Sequence, residues 1–182
     1  VIVVDELEDV EAARIALRAA AHGGHRVLAA MSDTDPAAAL EELAEASGRT
    51  LLGRALNLVV AQRLVRRICP HCKVEVDDVP PPTLIEMGLA PHLAESLQLF
   101  EGEGCNVCLG TGYKGRVGLY EVMEISEDIS DFIKNGATGS QIRRKAIEEG
   151  MATLRMSGIE KIQDGVTTLE EVLHATSLGS PA

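Results

Sequence analysis

The sequence predicts an α/β protein in which a parallel sheet is followed by a tetracysteine zinc module and a helical C-terminal tail. Three observations predict this class: a strand–helix–strand pattern at the start, two CxxC pairs in the middle, and short helical patterns towards the end. The predicted parts are residues 1–67, 68–112 and 113–182. A chain of 182 residues can bury roughly 70 % of its unfolded surface, so we expect a substantial core.

The first predicted unit is a strand, a helix and a second strand. Residues 1–4 are a β-branched run, typical of a strand buried on both faces of a parallel sheet. Asp9 is the predicted N-cap of a helix that carries an apolar stripe and ends at Gly23-Gly24. Residues 25–31 then return as a strand. Because two strands joined by a crossover helix run parallel, this order predicts a βαβ unit.

Two further helices are predicted next. Residues 32–35 form a capping segment, and Pro36 at the first helical position opens a helix over 37–46. A second, more hydrophobic helix is predicted over 52–67. Its end carries three basic residues, which suit the negative end of the helix dipole: Arg63, Arg66 and Arg67.

The remaining elements alternate between turns, strands and helices. Residues 77–82 are a predicted linker, and 110–115 form a glycine-rich turn. Three glycines in and after this turn are expected to adopt positive φ: Gly112, Gly115 and Gly118. The predicted strands cover 97–100 and 116–125, and the predicted helices 83–87, 128–134, 140–149, 154–163 and 169–175. Thr168 and Glu171 have the spacing of a capping box at the last helix.

All four cysteines of the chain fall into two CxxC pairs, Cys69 with Cys72 and Cys105 with Cys108. Two thiolates from one tight turn can bind the same ion, and two such turns complete a tetrahedral S4 shell. Four soft ligands without an open position predict a structural Zn²⁺, roughly 2.3 Å from each sulfur. Disulfides, buried free thiols and a thioredoxin-like redox pair are the alternatives, and His71 could replace one cysteine as a ligand.

The three arginines that precede the first CxxC pair have two open interpretations. In the first, they solvate the end of a helix and balance the roughly two negative charges of a Zn²⁺ ion bound by four thiolates. In the second, Arg63, Arg66 and Arg67 reach a neighbouring subunit or its phosphates.

Residues 1–6 have the form of a Walker B element, an apolar strand that ends in two carboxylates, Asp5 and Glu6. In a nucleotide-hydrolysing fold, such a strand places one carboxylate on Mg²⁺ and lets the next polarise the attacking water. The ends of many ordinary strands share this pattern. No GxxxxGK[ST] loop occurs in the chain, so these residues alone have no visible cradle for phosphates.

The bulk composition argues against two classes of protein. A formal net charge of −11 and a pI of about 4.9 argue against nucleic-acid binding.

No apolar run approaches the ~20 residues that span a membrane, and no signal peptide is visible, so we expect a soluble, cytosolic protein. Because the sequence opens inside a strand pattern without Met, we also expect it to be a piece of a longer protein.

Three stretches carry a family resemblance: 57–72 with the first CxxC pair, 104–121 with the second, and 167–173. Together they resemble the type II secretion and type IV pilus assembly ATPases. The resemblance implies the C-terminal part of a hexameric, RecA-like motor, cytoplasmic and peripheral to the bacterial inner membrane, with 1–67 ending its ATPase domain. The implied partners are its own subunits, the inner-membrane platform and other assembly proteins. The implied cofactors are ATP with Mg²⁺ and a structural Zn²⁺.

The resemblance is weakest at the nucleotide site. It assigns Glu6 to the activation of water, but Asp5 stands where the family has glycine, Glu8 where it has arginine, and Ser32 where a histidine would sense the γ-phosphate. The added negative charge disfavours a triphosphate unless Mg²⁺ compensates. Two functions therefore stay open, a motor fragment with a diverged site and an inactive zinc-stabilised scaffold. A third, a DnaJ-like zinc chaperone, depends on the single CxxCxGxG block at 105–112.

Overall fold

The structure, a computed structural model, describes residues 1–7, 9–32, 36–76, 79–86 and 89–177. Several residues that the sequence analysis singled out lie outside these ranges: Glu8, the capping residues 33–35, residues 77–78 of the linker and Met87. The described chain is a mixed α/β fold, which confirms the predicted class. None of the described helices has both the length and the apolar character needed to cross a membrane.

The described elements are strands and helices of 3 to 13 residues. In chain order they are β1 (Ile2–Val4), α1 (Val10–His22), β2 (Val27–Ala29), α2 (Pro36–Ser47), α3 (Arg49–Ala55), β3 (Leu58–Ile68), β4 (Lys73–Val76), α4 (Pro81–Glu86), α5 (Pro91–Ala94), β5 (Leu99–Gly102), β6 (Tyr113–Glu124), α6 (Glu127–Lys134), α7 (Gly139–Glu148), α8 (Leu154–Gln163) and α9 (Leu169–Ser177).

The described residues divide into two compact units, each built from two separate stretches of sequence. The first unit comprises Val1–Ala61 and Glu121–Ala152, and the second comprises Gln62–Tyr120 and the residues from Thr153 onward. Each unit has an apolar core of its own. The division into three consecutive parts, 1–67, 68–112 and 113–182, stays a prediction.

The first unit opens with the βαβ element. Strands β1 and β2 pair in parallel and are joined by α1. Asp9 caps α1 as predicted, since its Oδ1 accepts a 2.6 Å hydrogen bond from the N–H of Ala12. The helix ends at Gly23, also as predicted. The βαβ prediction is therefore confirmed.

Strand β1 is not buried on both faces, contrary to the prediction. Val3 is 73 % exposed, and Leu28, its register partner on β2, is 56 % exposed. Ile2 and Val4 point to the opposite side and are half-buried. The β-branched run therefore predicted the strand correctly and its burial incorrectly, because the described chain covers one face of this pair.

The predicted helix over 52–67 is wrong. Helix α3 ends at Ala55, and Leu56 is already extended, with φ −83° and ψ 129°. Strand β3 takes up most of the remainder, because β-branched side chains lose rotamer freedom in a helix and fit a pleated strand. Val59 packs against the core of the first unit, whereas Val60 is 51 % exposed, as alternation requires.

Strand β3 pairs with β6 in a two-stranded sheet. The N–H of Ile125 donates to the carbonyl of Asn57 at 3.0 Å, and the N–H of Cys69 donates to the carbonyl of Gly112 at 2.9 Å. Because each bond joins the end of one strand to the start of the other, the two strands run antiparallel. The strand predicted here is confirmed, with an earlier start.

The first unit is completed by α6 and α7. Their N-caps are Ser126 and Thr138, whose side chains accept hydrogen bonds from the N–H groups of Ile129 and Gln141. Thr138 and Gln141 form a full capping box, which the sequence analysis missed. The largest buried side chains of this unit are aliphatic or thioether groups: Leu40, Leu52, Met123, Ile129 and Ile133.

The second unit combines the antiparallel pair β4–β5 with helices α4, α5, α8 and α9. Helix α8 has the bounds predicted from the sequence, and α9 begins where predicted. In α8, Gly158 faces Val172 of α9 so closely that a Cβ at this glycine would collide with the valine methyl groups. The core of this unit is aliphatic: Val65, Leu84, Leu99, Leu119, Ile162 and Val172.

The glycine-rich turn before β6 has the predicted backbone conformation at two of three positions. Gly112 has φ +75° and Gly115 has φ +81°, values that favour glycine. Gly118 does not lie in this region, so that prediction is wrong. A Cβ at Gly118 would meet the Tyr120 ring at 2.5 Å, so the close approach of the ring explains the residue.

Candidate functional site

Two tight turns bring the four cysteines together. Cys69 and Cys72 lie in the turn between β3 and β4, and Cys105 and Cys108 lie in the connection between β5 and β6. The N–H of Glu103 donates to the carbonyl of Cys72 at 3.1 Å, which joins the two connections through the backbone. The four strands therefore deliver all four thiols to one place.

The four sulfurs form one compact cluster of free thiols. The Sγ–Sγ distances are 4.0 Å between Cys69 and Cys105, 3.8 Å between Cys72 and Cys108, and 3.8 Å between Cys105 and Cys108. All four sulfurs lie within 4.8 Å of one another. An ion roughly 2.3 Å from each of four tetrahedral sulfurs requires sulfur–sulfur distances of about 3.8 Å. The cluster can therefore hold one tetrahedral metal ion, which confirms the predicted meeting of the two pairs.

Backbone N–H groups favour the thiolate form of one sulfur. The N–H of Cys105 donates to the Sγ of Cys108 at 3.1 Å. Burial acts to raise the pKa of the Cys108 thiol, but hydrogen bonds from the backbone of Cys105 and Gly112 lower it to about 6. Burial raises the pKa of the Cys72 thiol to about 12. The sulfur of Cys108, which ionises easily, thus lies beside the sulfur of Cys72, whose thiolate form needs a nearby cation.

In the described part of the chain, the group of side chains that can share this ion consists of cysteines alone. His71 lies between Cys69 and Cys72 in sequence but is exposed and outside the group. Four sulfur donors leave no open coordination position for a substrate. The donor set therefore suits a structural ion rather than a catalytic one.

The arginines before the cluster lie on strand β3 and not at the end of a helix. Because side chains alternate along a strand, the three do not share one face. Arg66 donates from Nε and Nη2 to Glu171 Oε1 at 2.9 and 2.6 Å. Its guanidinium also lies 4.0 Å from the centre of the Tyr113 ring. Arg66 is therefore committed to contacts within the second unit.

The Glu171 side chain binds Arg66, whereas the sequence predicts that it completes a capping box with Thr168. The predicted capping box is half present, since the N–H of Glu171 donates to Thr168 Oγ1 at 3.4 Å, while the Glu171 carboxylate serves Arg66. The backbone N–H of Arg66 donates to Oε2 at 2.8 Å. Burial acts to raise the pKa of Glu171, but these hydrogen bonds hold it below its ordinary value. The same pair raises the pKa of Arg66.

The predicted position of Arg63 and Arg67 at a helix end is wrong, because both lie on β3. Arg63 Nη1 donates to the carbonyl of Gln62 at 3.0 Å. Arg67 is exposed and lies two residues before Cys69. Contact of either side chain with a neighbouring subunit or with its phosphates stays a prediction.

The predicted Walker B carboxylates lie at the carboxyl end of β1. Asp5 and Glu6 are both exposed. Ser32, which follows β2, donates a hydrogen bond from its hydroxyl to Glu6 Oε1. The carboxyl ends of adjacent parallel strands form the edge at which α/β folds bind ligands. The structure brings Glu6 and Ser32 together at that edge, and the catalytic role of Glu6 and the Mg²⁺-binding role of Asp5 stay predictions.

A buried ion pair in the first unit escaped the sequence analysis. Glu121 is 1 % exposed, and its Oε2 lies 3.0 Å from Arg143 Nη2. The available signal is strand periodicity, because Glu121 shares the buried face of β6 with Leu119 and Met123. A carboxylate at such a position needs a charged partner. The ion pair with Arg143 therefore explains how the Glu121 carboxylate can be buried.

Comparison with known proteins identifies relatives along nearly the whole chain. The family model described as "Type II/IV secretion system protein" matches residues 1–174. The type IV pilus assembly ATPase PilB of Thermus thermophilus is 42 % identical over 177 residues, which are 97 % of this chain and 20 % of the relative. PilB of Myxococcus xanthus is 39 % identical over 178 residues, 97 % of this chain and 31 % of the relative.

A type II secretion system protein, HxcR of Pseudomonas aeruginosa, is 34 % identical over 177 residues, which are 97 % of this chain and 33 % of the relative. The chain therefore spans between a fifth and a third of the length of these three relatives.

Two solved structures share the fold. The pilus retraction motor PilT with bound ADP matches 100 % of this chain and 39 % of its own chain, with a TM-score of 0.62 at 19 % identity. The ATPase DotB of Legionella pneumophila matches 97 % of this chain and 38 % of its own, with a TM-score of 0.63 at 18 % identity. At such identities the similarity shows the fold alone, and it supports the α/β class.

Proposed function

The chain belongs to the family of type II secretion and type IV pilus assembly ATPases, and we propose that it is the C-terminal fragment of a hexameric motor of that family. The whole motor would hydrolyse ATP to power type II secretion or type IV pilus assembly. It would work in the cytoplasm, peripheral to the bacterial inner membrane. The observation that carries this proposal is the family match over residues 1–174, which includes both cysteine pairs and the carboxylates after β1.

The carboxyl end of β1 is the proposed catalytic edge. Glu6 would accept a proton from the water that attacks the nucleotide, and Asp5 would bind Mg²⁺ directly or through water. Both side chains are exposed there, and carboxylate oxygens are the ligands that Mg²⁺ prefers. Bound ATP with Mg²⁺ would supply the bond to be cleaved and the positive charge that this acidic edge requires.

The sulfur cluster is the proposed zinc site, with Cys69, Cys72, Cys105 and Cys108 as the four ligands. The support is the donor set itself, four soft sulfurs at distances that suit a tetrahedral ion. The ion would perform no step of the reaction. It would fasten the β3–β4 turn to the connection between β5 and β6 and so fix the shape of the second unit.

Assembly contacts complete the proposal. The proposed partners are further subunits of the same hexamer, the inner-membrane platform and other secretion or pilus assembly proteins, and not nucleic acid, given the net charge of −11. Arg63 and Arg67 are the candidates for contact with a neighbouring subunit or its phosphates. Arg66 is a weaker candidate, because Glu171 and Tyr113 already bind its guanidinium.

The test compares the full-length protein that carries this chain with its Glu6→Gln variant, in a steady-state ATPase assay with Mg²⁺. We expect turnover by the wild type and a loss of at least about 100-fold in the variant, which is the usual contribution of a positioned general base. The isolated 182-residue chain should show no turnover, since no phosphate loop occurs in it. Turnover by the isolated chain above its own Glu6→Gln control would contradict this assignment.

The second candidate is a zinc-stabilised scaffold that keeps the assembly contacts of the family without hydrolysing ATP. The residues that favour it are Asp5 and Ser32, which stand where the family resemblance places glycine and histidine. The ATPase assay separates the two candidates. A full-length protein that assembles normally and shows no turnover above Glu6→Gln is a scaffold.

A further inference from the structure

The backbone on both sides of Glu6 is bound to a single residue of the neighbouring strand end. The N–H of Ala30 donates to the carbonyl of Val4 at 3.3 Å, and the N–H of Leu7 donates to the carbonyl of Ala30 at 2.9 Å. In the register of β1 and β2, the carbonyl of Ala30 would accept from the N–H of Glu6. It accepts from Leu7 instead, so one extra residue is accommodated after β1. These two bonds hold the backbone on both sides of Glu6 against the chain that leads from β2 to Ser32.

Two apolar side chains fix the direction in which Glu6 and Ser32 point. Leu7 follows Glu6 and Met31 precedes Ser32, and both pack against the core of the first unit. Glu6 and Ser32, their sequence neighbours, are instead exposed, and the Ser32 hydroxyl donates to Glu6 Oε1.

We propose that Ser32 is a positioning residue for the Glu6 carboxylate, an inference that rests on the catalytic role proposed for Glu6 above. An ionised carboxylate only accepts hydrogen bonds, so the hydroxyl of Ser32 is the donor. The bond occupies Oε1 and leaves Oε2 available to accept from a water molecule. A single torsion, χ1, separates the serine backbone from its hydroxyl oxygen. The position of the Ser32 backbone therefore limits where the hydroxyl, and with it the Glu6 carboxylate, can lie.

A structural role for this contact would be small. Both partners are exposed, and a hydrogen bond at a hydrated surface contributes little to folding because water replaces it. The cost of losing it falls on the orientation of Glu6, since misplacing a catalytic group lowers the rate without changing substrate affinity. The two roles therefore make different predictions for the same variant.

The experiment measures kcat and KM for ATP in the full-length protein with Ser32→Ala and with the conservative variant Ser32→Thr, which retains the hydroxyl. We expect Ser32→Ala to lower kcat about 10-fold with KM changed less than about 2-fold, a part of what a positioned base contributes. Ser32→Thr should restore most of kcat. An unchanged kcat in Ser32→Ala, or an equal loss in both variants, overturns the proposal.

A double-mutant cycle tests whether Ser32 acts through Glu6. In a Glu6→Gln background we expect Ser32→Ala to cause no further loss, because the group that it positions has already been removed. A further 10-fold loss in that background would show that Ser32 acts independently of Glu6 and would overturn the proposal.

A readout without nucleotide separates this proposal from the proposed ATPase function. In the 182-residue chain labelled with ¹³C-glutamate, Ser32→Ala should shift the carboxyl ¹³C resonance of Glu6, while Ser32→Thr should leave it near the wild-type position. If the full-length wild type shows no turnover but this pattern holds, the ATPase proposal fails and the positioning contact stands. If Ser32→Ala leaves the resonance unchanged, the contact is absent and the positioning proposal fails.

Discussion

The two compact units differ in the groups that we expect to stabilise them. The first is closed by aliphatic side chains on packed helices, with Leu40, Leu52 and Ile133 almost completely buried. The second also has an aliphatic core, but its two cysteine-bearing turns meet at sulfur atoms. The units should therefore respond to different perturbations, the first to lost core volume and the second to lost metal ligands.

The largest expected effect concerns the proposed zinc site of the second unit. Metal-coupled folding in small zinc modules supplies on the order of 10 kcal/mol, so Cys69→Ser or Cys105→Ser should remove the zinc and unfold the segment between the cysteine pairs. Hydrogen exchange should show protection lost in β4 and β5 and retained in α6 and α7. Native mass spectrometry measures the zinc content of the same samples.

The matched control is His71→Ala, which alters an exposed residue between two of the proposed ligands. It should leave both the zinc content and the exchange pattern unchanged. A wild-type protein without bound metal, or a cysteine variant in which β4 and β5 keep their protection, would contradict the proposed dependence of this unit on zinc.

The second effect belongs to the first unit and should be smaller. Leu52 has no exposed surface, so Leu52→Ala should leave a cavity and lower the free energy of unfolding by about 3 kcal/mol. Ile15→Ala is the control, since Ile15 is 59 % exposed on α1, and it should change stability by less than about 0.5 kcal/mol. Urea unfolding measures both. Zinc content should stay at the wild-type value, and its loss in Leu52→Ala would show that the units do not respond separately.

The same contrast explains how much of the fold could be read from the sequence. Local signals were sufficient where one residue type decides the outcome, as with Asp9 at the start of α1 and the four cysteines of the cluster. The bounds of helix α8 agree with the prediction because its helical pattern is local and is flanked by turns.

Prediction failed where a distant partner decides the outcome. The apolar spacing of β3 fits both a helix and a strand. The pairing with β6, more than 40 residues away in sequence, decides in favour of the strand. Glu171 was assigned to a local cap because its bond to Arg66 spans 105 residues. The contact of Ser32 with Glu6 likewise depends on how two strand ends meet in the fold, which composition does not reveal.

The smallest expected effect concerns the ion pair of the second unit. Glu171→Gln should lower the free energy of unfolding by about 1 kcal/mol at pH 7, the usual net contribution of a hydrogen-bonded charge at a partly exposed site. Because the folded state holds the pKa of Glu171 below its ordinary value, its contribution is present above the unfolded-state pKa and is lost as the pH falls through the folded-state pKa. The difference between wild type and variant should therefore shrink as the pH falls below about 4.3, the ordinary pKa of a glutamate.

Glu170→Gln is the matched control for this last prediction, since Glu170 is the exposed neighbour on the same helix, and its difference from wild type should stay small at every pH. The zinc content at pH 7 tests whether the contact between Arg66 and Glu171 is coupled to the cysteine cluster. Arg66 lies only three residues before Cys69, yet its contact with Glu171 shares no atom with the sulfur cluster. Glu171→Gln should therefore keep its zinc, and a variant that released the metal would show that the docking of α9 and the cysteine cluster form a single cooperative structure.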